Sequence, residues 1–418
     1  MNKKEKLSTE SYKGVRDFYP EDQQFLNYLL ATYRAIVERF GYVEYHASIL
    51  EPAELYRAKG AENEELINDQ TYTFLDRGGR EVTLRPEMTP TVARMVAARR
   101  RELGFPLRLY SIPNVFRYER PQKGRLREHW QLNVDLFGSR SLAADAEVIA
   151  VAHELMCAFG AEDTDFEIRV GSRAFLTQLM SEYGIEGNSE RAGKLMRLLD
   201  TKAKISPEKY EAGLQEIGLT AEDISSQETP EDVATVLALL QEAGVQNAMF
   251  DPGIVRGFAY YSGVVFEVFD THPDNNRSLF GGGRYDSLTA LFDDEPTPGV
   301  GFGMGDVTMH DFLAVRGLLP TYAPPTDVYL AVTSPEQVRN AQGIAQELRR
   351  AGVNVGVDFG DKKLADQIKV ASKHRIPFLI VVGQDEVTSD TFIVRNLETG
   401  VEAPRGRDEL ATFFLTTP

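Results

Sequence analysis

The sequence predicts an α/β protein in two parts, a large α+β region built on an antiparallel sheet and a smaller C-terminal α/β domain. Three observations carry that expectation. Between Tyr72 and Asp135 strand-like segments alternate with one helical stretch, a mixture that suits an antiparallel sheet with helices. Leu318 to Thr326, with Pro320, Pro324 and Pro325, is stiff and poor in ladder donors, so it reads as a linker. Beyond it strands and helices alternate at the spacing of a small parallel or mixed sheet. The implied division is 1–323 and 324–418.

Taken in order, Phe25, Leu29, Tyr33, Ile36 and Phe40 recur at helical spacing after Lys13-Gly-Val-Arg-Asp-Phe-Tyr-Pro20 and stop at Gly41. Tyr42 to Tyr45 reads as a strand, broken by Glu51-Pro52; helices are expected near Thr91 to Glu102 and from Ala143 to Phe159. In Asn114-Val-Phe-Arg117-Tyr-Glu119-Arg120 strand alternation places Arg117 and Glu119 on one face and Phe116 and Tyr118 on the other. Trp130 to Phe137 likewise gathers Gln131, Asn133 and Asp135 opposite Trp130, Leu132, Val134 and Leu136. Paired as a hairpin around Pro121 to Glu128, the two strands line a polar floor with Arg117, Glu119, Gln131 and Asp135. A charged helical block from about Glu182 to Ala248 looks inserted, because strand-like sequence resumes at Gly253 to Phe269. After the linker, Val328 to Val332 is a strand, and Ser334-Pro335-Glu336-Gln337 offers an N-cap, a Pro at N1 and a capping-box Gln. Val338, Ala341, Ala345 and Leu348 form a helical face ending at Gly352, and Val353 to Val357, Leu364 to Ser372 and Pro377 to Val382 continue the alternation.

Composition excludes several classes. The 418 residues are 42% apolar, with 46 Lys and Arg against 63 Asp and Glu, a net charge of −17 that argues against binding polyanions by bulk charge. A polyanion site must be local, and Arg94 to Glu128 is the place to look: ten basic side chains stand there against three acids. The lone Cys157 excludes an intramolecular disulfide and points to a reducing compartment, and six scattered His give no zinc motif. No signal peptide or membrane span is readable, so a cytoplasmic protein without a membrane partner is expected.

Several motifs stand in a telling order. Phe116-Arg117-Tyr118-Glu119, then Arg120-Pro-Gln-Lys-Gly-Arg125 and Gln131-Leu-Asn-Val-Asp135, closely resembles motif 2 of class II aminoacyl-tRNA synthetases in their histidyl form. Asp251-Pro-Gly-Ile-Val-Arg256-Gly-Phe-Ala-Tyr260-Tyr261 resembles the histidine-specific motif; Leu84-Arg-Pro-Glu87-Met-Thr89-Pro and Gly281-Gly-Gly-Arg284-Tyr285-Asp286 are similar to two further histidyl signatures. The first helix with Pro52 looks like motif 1, Gly299-Val-Gly-Phe-Gly-Met-Gly305 like motif 3, and the C-terminal unit like the anticodon-binding domain of this group.

The resemblance implies activation of histidine with ATP to histidyl-adenylate and pyrophosphate, then transfer to the 3′ end of tRNA(His). It implies a class II fold with a helical insertion at about 182–248, a homodimer, and Mg2+ brought by ATP with no metal site of the chain's own. Arg117 and Arg256 are the implied catalytic clamps on the α-phosphate, since planar forks suit phosphoryl oxygens. Arg117 and Glu119 bind ATP; Glu87, Thr89 and Gln131 hold the α-amino group; Asp135, Tyr261 and Tyr285 read the imidazole, with Arg256 and Tyr260 in the same histidine set. Arg120, Gln122, Lys123 and Arg125 face tRNA. The chain departs from the family twice: Ala259 stands where Asp is usual, and Thr308 where motif 3 has an Arg that packs on adenine. The second departure predicts weak ATP binding unless another Arg occupies the space. The alternative is a degenerate relative, either a tRNA or histidine sensor or an ATP phosphoribosyltransferase regulatory subunit; the latter lacks the C-terminal domain.

Overall fold

A computed structural model describes residues 6–58, 70–120, 124–187, 189–202, 205–254, 260–275 and 277–416. The chain divides into two units, Met1–Pro320 and Thr321–Pro418. The first opens with helix α1 (Pro20–Arg39), which has Pro at its start, Glu21 and Asp22 in its first turn, and a face of Leu26, Leu29, Tyr33, Ile36 and Val37 turned inward. Strands β1 (Val43–Glu44) and β2 (Leu50–Pro52), the short helix α2 (Glu54–Arg57), β3 (Tyr72–Leu75), β4 (Glu81–Leu84) and helix α3 (Thr89–Arg99) follow. Then come β5 (Leu107–Ser111), β6 (Asn114–Phe116), β7 (Glu128–Phe137), α4 (Leu142–Ala158), β8 (Phe166–Ser172) and α5 (Arg173–Glu182). Helices α6 (Glu190–Thr201), α7 (Pro207–Gln215), α8 (Ala221–Ser225) and α9 (Glu231–Glu242) lead to β9 (Ala248–Phe250), β10 (Val264–Asp270), β11 (Ser278–Tyr285), β12 (Gly299–Gly305) and α10 (Asp306–Val315).

The main sheet runs β1-β5-β7-β12-β11-β10-β8-β9, with β6 also paired to β7. Its outermost pairs, β1 with β5 and β8 with β9, are parallel, and the pairs between are antiparallel. Strands β2, β4 and β3 form a separate small antiparallel sheet. Along β7 and β12, Leu132, Val134, Leu136, Val300, Phe302 and Met304 turn to one face, where α1, α4, α9 and α10 complete the core. The opposite face carries the polar residues of β7 and the glycines of β12, so the alternation read from the sequence decides which side of the sheet is free for chemistry.

The inserted block is not one module. Helices α5 to α8 close their own core around Phe175, Leu179, Leu195, Tyr210, Leu214 and Ile224, whereas α9 buries Val233, Val236 and Leu240 in the main core. The apolar face of α9 has the main sheet to cover, which a charge-based boundary does not register.

In the second unit β13 (Val328–Val332) lies between β14 (Val355–Val357) and β15 (Phe378–Val382), parallel to both. Strands β16 (Thr391–Asn396) and β17 (Glu402–Gly406) continue the sheet antiparallel, making it mixed. Helices α11 (Val338–Ala351) and α14 (Arg407–Thr416) pack around one core with Leu330, Ile380 and Phe392, while Ala371 of α12 (Leu364–Lys373) joins a second cluster with Ala331 and Leu379; the short α13 (Gln384–Ser389) caps β15. Gly352 ends α11 at φ +101°, a left-handed stop as its position suggests. The capping box expected at Ser334 does not form: Pro335–Gln337 is a 3-10 turn without a side-chain cap, and Gln337 donates instead to Gln384 at 3.0 Å. Among the described residues no helix is long and apolar enough to cross a membrane.

Candidate active site

The site grows from β7 and β12, which pair Gly301 with Asp135 and Gly303 with Asn133. Glycines occupy 299, 301, 303 and 305, every second residue of β12, and all lie on the face opposite Val300, Phe302 and Met304. A Cβ on Gly301 would fall 2.6 Å from Asp135 Oδ1, and one on Gly303 would fall 2.3 Å from Gln131 Nε2. The stripe is therefore a trough in which the side chains of β7 lie flat against backbone.

Asp135 is buried at the bottom of this trough. The Tyr285 hydroxyl donates to its Oδ1, while its Oδ2 is buried with no hydrogen-bond partner among the described residues. Burial lifts this carboxyl from 3.8 to about 7; the Tyr285 bond opposes the rise and Glu87 adds to it. A buried carboxylate oxygen with acceptor capacity to spare suits a donor, such as a ring N–H. Around it stand Tyr260, Tyr261 and Tyr285, with ring centroids 5.0, 5.8 and 6.5 Å apart. Tyr260 donates to Glu87 Oε2 at 3.1 Å and also engages the Thr89 side chain. Glu87 is held at the entry to α3, where the Tyr56 hydroxyl donates to its carbonyl at 3.2 Å. Burial pushes the Tyr260, Tyr261 and Tyr285 phenols well above their usual range, so they act as neutral hydrogen-bonding groups.

Glu87, Thr89, Asp135, Tyr260, Tyr261 and Tyr285 thus converge as one polar, aromatic cluster, with Gln131 further along the same face of β7. The hairpin also forms, with Asn114 opposite Trp130 and Phe116 opposite Glu128. One expectation is corrected: the ladder ends at Phe116, so Arg117 and Glu119 leave the strand rather than continuing its alternation. Arg117 Nε donates to the Pro86 carbonyl at 2.9 Å, which fixes the base of its fork, and the terminal nitrogens bind nothing among the described residues. Glu119 keeps open acceptor capacity, with Arg125 at 3.8 Å its ion-pair partner among the described residues. Arg120 and Arg125 are exposed on the connector, while Arg127 is locked inward, 4.0 Å above the Tyr118 ring and bonded to the Glu119 carbonyl. Arg256, Ala259, Gln122 and Lys123 lie outside the described residues.

Three features were not legible beforehand. His129, midway along the floor, is pushed down to about 3 by burial, then by Arg117 and Arg16, so it stays neutral. Arg284 of the Gly-Gly-Gly-Arg motif is not directed at a substrate: it is clamped on Asp145 at 2.5 Å and on the Ser139 and Ser141 carbonyls, tying α4 to the sheet. The fold also gathers His153, Cys157 and Asp163 within 4.8 Å, a grouping that scattered sequence positions conceal. There His153 Nε2 bonds Asp163 at 2.8 Å, and burial pushes the Cys157 thiol up to about 11.

A family model described as histidyl-tRNA synthetase matches residues 14–217 and 211–306, and one described as an anticodon binding domain matches 327–417. The chain is 40% identical over 416 residues to the histidine–tRNA ligase of Leptospira biflexa, covering 94% of each. It is 34% identical to that of Thermoplasma volcanium, covering 94% of this chain and 95% of the relative. The crystal structure of histidyl-tRNA synthetase from Nostoc sp. PCC 7120 superposes with a TM-score of 0.81 at 26% identity, covering 98% of this chain and 99% of that one.

Proposed function

From the premise that the chain belongs to the histidyl-tRNA synthetase family and ligates histidine to tRNA, we propose that the pocket over β7 and β12 holds histidine with its ring on Asp135 and ATP on the Arg117 side. The family and its anticodon-binding domain imply use of ATP with a divalent metal and binding of tRNA and histidine. The observation that carries the assignment is the open Oδ2 of Asp135, buried beneath three tyrosines, which a histidine ring N–H would satisfy. An analogue without ring nitrogens would leave that oxygen unpaired, a penalty that supports steep discrimination. Glu87, Thr89 and Gln131 are assigned to the α-ammonium, with Tyr260 orienting Glu87.

The substrate carboxylate is ionised at neutral pH and attacks the α-phosphorus directly, with pyrophosphate leaving, so the step needs no general base. What it needs is stabilisation of the negative charge that builds on the phosphoryl oxygens. We assign that to the free fork of Arg117 and to Arg256. Glu119, whose carboxylate has no short-range partner among the described residues, fits a hard cation accompanying ATP; Mg2+ there would neutralise phosphate charge. Arg120, Gln122, Lys123 and Arg125 are assigned to the acceptor end of tRNA. A homodimer is proposed across the motif 1 side, where Val43, Leu50, Phe74 and Leu75 are exposed on β1, β2 and β3. The reducing compartment suggested by the lone cysteine fits a cytoplasmic enzyme.

The test is labelled pyrophosphate exchange with ATP. Histidine should support it, while threonine and proline should not. Equal exchange with those amino acids would overturn the pocket assignment, and no exchange with any would favour a regulatory relative.

A further inference from the structure

Position 308, on the first turn of α10, has lost the guanidinium the family pattern leads one to expect. The Thr308 hydroxyl is committed to the Leu279 carbonyl at 2.7 Å, so it offers nothing to a ligand. Two residues earlier Asp306 is buried, with Oδ1 accepting from the Trp130 N–H at 2.9 Å and Oδ2 from Arg16 Nη2 at 2.5 Å. Arg16 belongs to the segment before α1 and reaches across 290 residues of sequence to the start of α10. Asp306 fixes one edge of its guanidinium, and Phe18 lies 4.8 Å from the guanidinium carbon. Its side chain nevertheless remains 31% exposed, and Nε is buried without a partner among the described residues. Gly305, the N-cap of α10, adjoins His129. Gly305 stands between that ring and Thr308, 3.7 and 3.9 Å from a Cβ built on it, and the fields of Arg117 and Arg16 both act on His129. Arg16, from the segment before α1, is thus held at the start of α10 beside the His129 end of the floor, where Val115 pairs with His129 two residues before Arg117.

We infer that Arg16 is the nucleotide-contacting cation of this enzyme, supplying from the N-terminal segment the planar contact to ATP that Thr308 cannot make. This rests on the reading that ATP lies beside Arg117. A counter-ion for Asp306 needs no exposed edge and no place beside the Arg117 pocket; a nucleotide ligand needs both.

The experiment measures ATP binding and histidine binding separately, by calorimetry on the full chain, together with histidine-dependent exchange. Arg16→Ala alone leaves a buried carboxylate unpaired, so the decisive variant is Arg16→Ala/Asp306→Asn, in which Asn keeps the acceptor for Trp130. In that double variant the Kd for ATP should rise about tenfold, the scale of one lost charged contact. Histidine affinity should stay within twofold, and adding Thr308→Arg should recover part of the loss. An ATP affinity within twofold of wild type in the folded double variant reduces Arg16 to a counter-ion and overturns the inference. Wild-type chain that binds ATP yet fails to exchange with histidine overturns the functional reading alone, because the ATP arm still reads Arg16. Wild-type chain that binds no ATP overturns both.

Discussion

Asp135→Asn keeps an acceptor for the Tyr285 hydroxyl and removes only the ionisable oxygen, so it isolates what burying this carboxyl costs. Burial raises the group from 3.8 to about 7 in the folded chain. Between those values the folded state holds a proton the unfolded chain has released, so stability falls as pH rises through the window and levels off above about 7. A shift of about three units at 1.36 kcal/mol each sets a ceiling of about 4 kcal/mol. Asn does not titrate there, so the stability of the variant relative to wild type should climb between pH 5 and 8 by a sizeable part of that ceiling. Urea denaturation followed through Trp130, the single tryptophan and a residue of β7, reads the unit concerned. The same substitution should abolish histidine-dependent exchange, because an amide N–H would face the ring N–H. A difference between variant and wild type that stays constant across pH 5 to 8 would refute the reasoning.

Arg117→Lys and Arg256→Lys should each lower histidine activation by about 10²–10³ while circular dichroism stays unchanged, since Lys keeps the charge and loses the fork. Gly301→Ala, whose Cβ would fall 2.4 Å from the Val134 carbonyl, should destabilise the first unit by at least about 2 kcal/mol in denaturant titration. By contrast, Gly343→Ala on α11, with no atom closer than 4.0 Å, should stabilise the second unit by about 0.5–1 kcal/mol. A chain ending at Pro320 retains the first unit's own core and should still exchange pyrophosphate while charging tRNA poorly. Equal aminoacylation by the short and full chains would count against that division of labour.

The sequence made the hairpin and its polar floor legible because alternation in β7 is strict from His129 to Leu136 and each polar position has a reason to face away from the core. The same rule overran at Arg117: a ladder ends where its partner strand ends, and periodicity alone carries no information about pairing. Ser334 failed similarly, since a good capping sequence also fits a 3-10 turn when the next element pulls Gln337 elsewhere. Arg16 was invisible because its partner, Asp306, is 290 residues away and nothing local distinguishes it from a solvated arginine. The one available hint was negative: Thr308, where the family pattern has Arg, predicted weak ATP binding unless another Arg occupies the space. The period-two glycines of β12, read beforehand only as a motif, could have been recognised as a strand with one bare face.

That bare face has a consequence for redesign. Glycine is the smallest residue, so every substitution at 299, 301, 303 or 305 makes the trough shallower, and none can deepen it. The depth available to a substrate side chain is set by the peptide plane itself. Selection for a bulkier amino acid must therefore carve the walls, at Tyr261 or Tyr285, and selection for a smaller one must thicken them, because a methyl at 299, 301 or 303 collides with Tyr285 or with β7 before it reaches a substrate. The floor is fixed from below, and the pocket is adjustable only from the sides.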